Sequence, residues 1–193
     1  LPILSSILFC IDKNQLTLTG TDLEVELVKT ISLIGNDAKT QLAVPAKKLS
    51  DICRALPNDS QIRFIRQKNQ LVIRSGRSRF TLSLMAAADF PTLEKSNQPL
   101  FSFAMKTVAM KTLLEKTAFS MAQQDVRYFL NGLLLDLQGN AVTAVTTDGH
   151  RLSSSMQTVD FKEDKRQEVL VPRKAAMELI KLLEADSEEL VEV

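Results

Sequence analysis

Histidine occurs once and cysteine twice in the 193 residues. One imidazole and two scattered thiols do not make a zinc set, so no metal centre is expected. Cys10 and Cys53 lie 43 residues apart. Cys53 falls on the apolar stripe of an expected helix, and both read as buried free thiols rather than a disulfide. No apolar run approaches the ~20 residues that a bilayer-spanning helix needs. The chain does not open on a basic start, an apolar stretch and a small-residue cleavage site, so no secretory signal is expected. No nucleophile motif, phosphate loop or carboxylate pair accompanies the sole histidine. What remains is an ordinary globular composition, 45 % apolar and 24 % charged, long enough for one large domain or two ordinary ones.

The chain repeats itself once, with a long period. Leu16-Thr-Leu-Thr-Gly-Thr-Asp22 is matched by Val142-Thr-Ala-Val-Thr-Thr-Asp148, and Val44-Pro-Ala-Lys47 by Val171-Pro-Arg-Lys174. Asp22 and Asp148 are 126 residues apart, Pro45 and Pro172 127, so two landmarks agree on one register. After each Val-Pro an apolar stripe follows at i, i+3, i+4 and i+7: Leu49, Ile52, Cys53 and Leu56, then Ala176, Leu179, Ile180 and Leu183. That spacing predicts a helix with one buried face. A period this long allows about one and a half units here, so the chain is expected to be cut at both ends.

Between these landmarks, residues 7–34 alternate as a meander of strands, and Ile62–Ile65, Leu71–Ile73 and Phe80–Leu84 add three more. Residues 86–99 lose periodicity, carry two prolines and read as a linker. Phe101–Phe103 reads as a short strand and 105–122 as a helix, with Met110, Leu113, Leu114, Thr117, Ala118 and Met121 on one stripe. Leu133–Leu137, a turn at Gln138-Gly139-Asn140 and Val142–Thr146 follow. Lys162–Arg166 reads as a charged loop, 173–184 as the second helix of the unit, Asp186–Glu189 as a polar break and Leu190–Val193 as a strand without an evident partner. Net charge is +1 but uneven. Residues 47–79 hold nine cations against Asp51 and Asp59, and 184–193 hold five acids and no cation. The basic stretch fits a polyanion-facing or partner-facing surface as well as it fits a solvated face.

Three constellations could carry function. Thr147-Asp-Gly-His-Arg-Leu152 joins the sole histidine to a carboxylate and a cation. An enzymatic reading makes His150 a general base oriented by Asp148. The aligned Asp22 is followed by Leu23 and Glu24 instead, which favours a turn-capping aspartate. Gln123-Gln-Asp-Val-Arg-Tyr-Phe129 mixes amides, an arginine and two aromatics. It could touch phosphates and stack on bases, or its aromatics could cap the core. Arg74-Ser-Gly-Arg-Ser-Arg-Phe-Thr-Leu82 is read with Arg77 and Arg79 on one strand face and Phe80 and Leu82 on the other. It could be a charged edge strand or a subunit interface with an apolar patch and basic rim.

Taken in order, Leu1-Pro-Ile-Leu, Thr19-Gly-Thr-Asp-Leu-Glu24, Val44-Pro-Ala-Lys47, Arg74-Ser-Gly-Arg-Ser-Arg-Phe80, Ala88-Asp-Phe-Pro91, Asp125-Val-Arg-Tyr128, Thr147-Asp-Gly-His-Arg-Leu152 and Val171-Pro-Arg-Lys174 resemble the bacterial DNA sliding clamp, the beta subunit of the replicative polymerase III. The resemblance runs from end to end. It implies an α+β DNA-clamp fold, three repeated domains per subunit, with antiparallel sheets outside and helices lining a ring closed by two subunits. Residues 1–98 would be a first domain lacking its opening strand and helix, and 99–193 a second domain lacking its last strands.

The resemblance further implies a processivity factor without catalysis, cofactor or membrane, cytoplasmic and associated with the nucleoid. Its partners would be double-stranded DNA held without sequence readout, the polymerase III catalytic subunit, the clamp loader, other clamp-binding repair and replication proteins, and a second copy of the full-length protein. Carried over by position, a partner-peptide pocket maps to Arg127, Thr147, Gly149, His150, Arg151 and Leu152. DNA-facing positions map to Lys47, Arg54, Gln123, Gln124, Tyr128, Phe129, Arg173 and Lys174, with Gln123 and Phe129 departing from the His and Tyr common in the family. The ring interface maps to Lys48, Arg77, Arg79, Phe80 and Leu82. The competing reading is a sequence-tolerant DNA-binding module that forms no ring.

Overall fold

In the computed structural model, residues 2–35, 39–92, 102–183 and 189–193 are described, 160–164 by backbone alone. The chain forms two compact units, Leu1–Lys95 and Ser96–Val193.

Unit 1 opens with a 3-10 turn, Pro2–Ser5, and a meander of β1 (Ser6–Asp12), β2 (Gln15–Thr21) and β3 (Glu26–Ser32), followed by β4 (Lys39–Pro45). These make one antiparallel sheet in the order β3-β2-β1-β4. Pro45 then caps α1 (Ala46–Ala55) at φ −56°, its ring already set for a helix start. Pro57, after the extended Leu56, stops it. A second antiparallel sheet follows, β5 (Arg63–Gln67), β6 (Gln70–Ser75) and β7 (Ser78–Ser83), in sequence order. The core joins both sheets and the helix: Phe9, Leu16, Leu42, Val44, Leu49, Leu71, Ile73 and Leu82. Phe9 and Phe64 meet edge to face at 5.7 Å, a favoured aromatic geometry.

Unit 2 runs β8 (Ala104–Lys106), α2 (Thr107–Ala118), β9 (Gly132–Thr147), β10 (Leu152–Pro172), α3 (Arg173–Leu182) and β11 (Leu190–Glu192). The stripe of α2 is buried as expected, with Leu113, Leu114 and Thr117 almost fully enclosed against Leu133, Leu135, Val142 and Ala144. The buried Thr117 hydroxyl donates to the Leu113 carbonyl at 2.9 Å, and the Thr146 hydroxyl donates to the Thr117 carbonyl, so the helix end is tied to β9. The repeat is structural. Thr147↔Leu152 in β9–β10 reproduces Thr21↔Glu26 in β2–β3, and Gly132↔Pro172 reproduces Ser6↔Pro45 in β1–β4. α3 starts after Pro172 as α1 does after Pro45.

Several expectations are corrected. The turn at Gln138–Asn140 and the loop at Lys162–Arg166 lie within β9 and β10. Both fall where the pairing slips: β10 takes nine steps from Thr158 to Gln167 while β9 takes four from Leu137 to Ala141. The extra residues form a bulged bend, with Gly139 at φ +61° opposite Glu163. Past the bend Arg166 forks onto Asp136, Nε to Oδ1 at 2.8 Å and Nη2 to Oδ2 at 2.9 Å, and its guanidinium holds that carboxyl below the usual range. Strand β11 does find a partner, pairing with β8 at Val191↔Met105. The short strand is Ala104–Lys106 rather than 101–103, with Phe101 outside the described residues and Phe103 exchanging backbone hydrogen bonds with Val193. Helix α2 is shorter than 105–122. The linker does not begin at 86: Ala87–Asp89 is a 3-10 turn and Phe90 is buried with Ile3, Leu8 and Ala43. Residues 93–99 of that segment, and 186–188 of the polar break, lie outside the described residues. Cys10 is half-buried and Cys53 exposed, both free. The ten-residue α1 packs on the core with Leu49 and Ile52, and its i+4 position, Cys53, turns outward; on α3 it is the i+3 position, Leu179, that is 40 % exposed, while Ile180 packs inward.

The end of the β9–β10 pair sets a testable limit. A Cβ at Gly132 would stand 2.8 Å from the Val171 carbonyl oxygen and 3.0 Å from Leu170 Cδ1. Leu170 is 41 % exposed and can turn aside, but the Val171 carbonyl is backbone paired in the sheet and has little room to give. Gly132→Ala is expected to lower stability by about 1–3 kcal/mol, read as a lower urea midpoint at unchanged slope. An unmoved midpoint would show that the pair has slack.

Candidate functional site

Strand β9 delivers Thr147 and β10 resumes at Leu152, so Asp148-Gly149-His150-Arg151 is the connecting turn. Side chains close it. The Thr147 hydroxyl donates to the Arg151 carbonyl at 2.7 Å and accepts from the Gly149 N–H at 3.1 Å. Asp148 Oδ1 accepts from the N–H groups of His150 at 2.9 Å and Arg151 at 3.0 Å. An aspartate opening a turn in this way is an Asx motif. Unit 1 contains the same device. Thr21 donates to the Val25 carbonyl at 2.9 Å and accepts from the Leu23 N–H, while Asp22 Oδ1 accepts from the N–H groups of Glu24 and Val25. The third residue has positive φ in both turns, +80° at Leu23 and +89° at Gly149.

The two turns part company in what surrounds them. At Gly149 the absent side chain leaves a slot filled by Arg127, whose Nη2 would be 3.2 Å from an added Cβ. Arg127 is held by Asp125, with Nε on Oδ1 at 3.0 Å and Nη2 on Oδ2 at 2.9 Å, and its own N–H also on Oδ1 at 2.8 Å. Asn131 braces Asp125 by accepting from its N–H and donating to its carbonyl. On the other side Arg151 places Nε on Asp148 Oδ2 at 3.0 Å and Nη2 on the Phe119 carbonyl at 2.8 Å, with the guanidinium 5.5 Å from the Phe119 ring centroid, within cation–π range. The Asp125 carboxyl is lowered to about 2, first by the Arg127 guanidinium and then by its backbone N–H. Asp148 is also lowered to about 2, chiefly by the N–H groups of His150 and Arg151. The Asp125 carboxylate raises Arg127 in turn.

The fold thus gathers Arg127 with Thr147, Gly149, His150, Arg151 and Leu152, residues that the sequence placed in two separate strings. Leu152 is 65 % exposed beside them. Phe119 was missed. Its only sequence signal is an aromatic that follows the α2 stripe without belonging to it. The general-base pairing of the enzymatic reading is not formed: His150 meets Asp148 through its backbone N–H, and Arg151 takes the second carboxylate oxygen.

Gln123, Gln124, Tyr128 and Phe129 are exposed on the loop that carries Arg127. Tyr128 and Phe129, rings 5.9 Å apart and near perpendicular, are 79 % and 55 % exposed and do not cap the core. Arg173 ties the start of α3 to this loop, its N–H donating to the Asn131 carbonyl and Nη1 to the Met121 carbonyl at 3.1 Å. Lys174 is exposed beside it. In unit 1, α1 exposes Lys47, Lys48 and Arg54, and Lys47 is the repeat counterpart of Lys174.

Strand β7 is two-faced as expected, with Arg79 outward and Phe80 and Leu82 inward, but two details differ. Arg77 lies in the β6–β7 turn rather than on the strand, and Leu82 is only 5 % exposed, part of the unit's own core with Phe80 packed against it. What the sheet presents outward is a row of exposed arginines in register, Arg63↔Arg74↔Arg79 across β5, β6 and β7. Like charges in directly opposed positions are unfavourable, and among the described residues none of the three has an ion-pair partner.

Comparison with known proteins adds a family. Residues 1–94 match the DNA polymerase III beta subunit, N-terminal domain, and residues 104–193 match its central domain. The chain is 45 % identical over 193 residues to the beta sliding clamp of Pseudomonas putida, covering all of this chain and 52 % of that protein. It superposes with a TM-score of 0.94 on the crystal structure of the DNA polymerase III subunit beta from Pseudomonas aeruginosa, at 43 % identity, covering all of this chain and 52 % of that one. A Pseudomonas aeruginosa sliding clamp bound to griselimycin is similar at a TM-score of 0.91, 43 % identity and the same coverage. The chain spans about half the length of the relatives it matches.

Proposed function

The chain belongs to the DNA polymerase III beta subunit family, and we propose that it forms two of the domains of a sliding clamp, the ring that keeps a replicative polymerase on DNA. In this reading residues 1–98 and 99–193 are the first and second domains, each completed by strands or a helix supplied by further chain. The full-length protein pairs with a second copy to encircle duplex DNA in the bacterial cytoplasm, at the nucleoid. It has no catalytic role.

The observation that supports the reading best is the repeated unit with cations at repeated places. Two copies of one fold start a helix at Val-Pro and expose Lys47 and Lys174 in the same register. Cations on helices touch phosphates without reading bases, as a sliding ring requires. The other positions assigned to DNA are Arg54 in unit 1 and Gln123, Gln124, Tyr128, Phe129 and Arg173 in unit 2, each beside the helix start of its own repeat or on its own helix. The pocket formed by Arg127, Thr147, Gly149, His150, Arg151 and Leu152 receives an extended peptide from the polymerase catalytic subunit, the clamp loader or repair proteins, its cations and exposed leucine matching a segment with acceptors and an apolar side chain. The griselimycin complex of the Pseudomonas aeruginosa relative supports a ligand site in this family. The ring interface uses Lys48, Arg77, Arg79 and Phe80 with the arginine row, over a Leu82 that stays in the core, and calls for an acidic facing surface.

The experiment is retention on DNA. The full-length protein is loaded on nicked circular plasmid and on the same plasmid after linearisation, then passed through a sizing column in high salt. Retention on the circle and loss from the linear form is expected. Equal retention on both would replace the ring with a DNA-binding module that grips by contact alone.

A further inference from the structure

We infer that Asp148 is a positioning residue of the peptide pocket, holding Arg151 in the orientation in which it meets a bound peptide; the inference rests on the pocket reading above. The division of labour between the two carboxylate oxygens carries it. Oδ1 accepts both backbone N–H groups of the turn, from His150 and Arg151. In unit 1, Asp22 Oδ1 does the same for Glu24 and Val25. The residue at the Arg151 place there is Val25, so this turn closes without any arginine. In unit 2, Oδ2 acts separately and receives Arg151 Nε at 3.0 Å.

Arg151 is a long side chain, 58 % exposed, and left alone it would sample many rotamers that binding must then freeze. It is instead held on two edges by two different elements. Asp148 takes Nε from the turn, and the Phe119 carbonyl at the end of α2 takes Nη2 at 2.8 Å, with the Phe119 ring against the guanidinium. Charge-assisted contacts of this kind carry more orientation than neutral ones. The guanidinium therefore meets an incoming acceptor already aimed, and part of the ordering cost of binding is absent.

Asparagine separates the two roles, because its Oδ1 can still accept both turn N–H groups while its amide cannot accept from Arg151 Nε. The full-length protein is titrated by fluorescence anisotropy with a labelled synthetic peptide of the polymerase catalytic subunit's C-terminal tail. Asp148→Asn is expected to raise Kd about fivefold and Arg151→Ala about tenfold. The double variant should be no weaker than Arg151→Ala alone, since a residue that acts through another adds nothing once that other is gone. Asp22→Asn, the same change in the unit 1 turn, should leave Kd unchanged and so reports any general loosening. Leu152→Ala reads the pocket itself. If Leu152→Ala weakens the peptide while Asp148→Asn does not, the inference falls and the pocket stands. If the two effects of the double variant add, or Asp22→Asn matches Asp148→Asn, the inference also falls. If Leu152→Ala has no effect, the pocket reading falls and takes the inference with it.

Discussion

Gly149→Leu is expected to weaken binding of the polymerase tail peptide by tenfold or more, about 1.4 kcal/mol, with only a small loss of stability. The two turns of the repeat supply the argument. A leucine at this position is ordinarily strained, because φ is +89° and L-residues avoid that region at a cost of about 1–2 kcal/mol. Yet Leu23 occupies the same place in an identical hydrogen-bonded turn at φ +80°, so this backbone does accept a leucine. The difference is Arg127. Its Nη2 lies 3.2 Å from the position of a new Cβ, and the rest of a leucine side chain would need the space that the guanidinium fills. Arg127 can leave because it ends a flexible chain, but leaving breaks its fork with Asp125 and takes one of two pocket cations away. The measurement pairs peptide affinity with a thermal melt. A variant that binds the peptide as well as the native protein would show that Arg127 over Gly149 is not part of the pocket. A variant that melts far lower would show that the unit 1 turn is a poor guide to unit 2.

The comparison of those turns also shows how far the sequence could be read. The repeat, both Val-Pro helices and the capping role of Asp148 were legible, because they depend on local pattern: a fixed φ at proline, a 3.6-residue stripe, a short acceptor beside two free N–H groups. The meeting of Arg127 with Gly149 was legible only through the family resemblance, which put both in one pocket, and not from local pattern. It joins residues far apart in the chain, and only the packing of the Asp125–Leu130 loop beside the hairpin end brings them together. Phe119 was missed for the same reason, its role lying in a carbonyl and a ring face turned to Arg151. Cys53 and Leu179 mark a different limit. Periodicity says which side of a helix is apolar, not how wide a strip its neighbours cover, and α1 and α3 are covered over less than their full stripe, with Cys53 exposed and Leu179 40 % exposed. The bend at Gly139 was legible as a turn at Gln138–Asn140, whereas the bulged partner segment at 158–167 was hidden by its charges, which read as loop.

Leu82→Ala is expected to destabilise the protein by about 2–4 kcal/mol, although by sequence it belongs to the ring interface. Leu82 is 5 % exposed, lies opposite Leu71 across β6–β7 and sits in one cluster with Phe9, Leu16 and Ile73. Truncating it leaves a cavity among fixed neighbours, and the cost falls on folding. The interface should answer to a different change. Arg63, Arg74 and Arg79 stand side by side on the exposed face, where mutual repulsion costs up to about 1 kcal/mol per neighbouring pair. A facing acidic surface would reverse that sign, so Arg74→Glu with Arg79→Glu should leave the subunit fold intact while weakening dimerisation about tenfold or more at low salt, an effect that fades as salt screens it. Urea denaturation and dilution through a sizing column separate the two cases. A Leu82→Ala protein with a native urea midpoint but a raised dimer dissociation constant would place Leu82 at the interface after all. Charge-reversed protein that stays dimeric on dilution would mean that the arginine row faces solvent, its repulsion offset by water and salt alone.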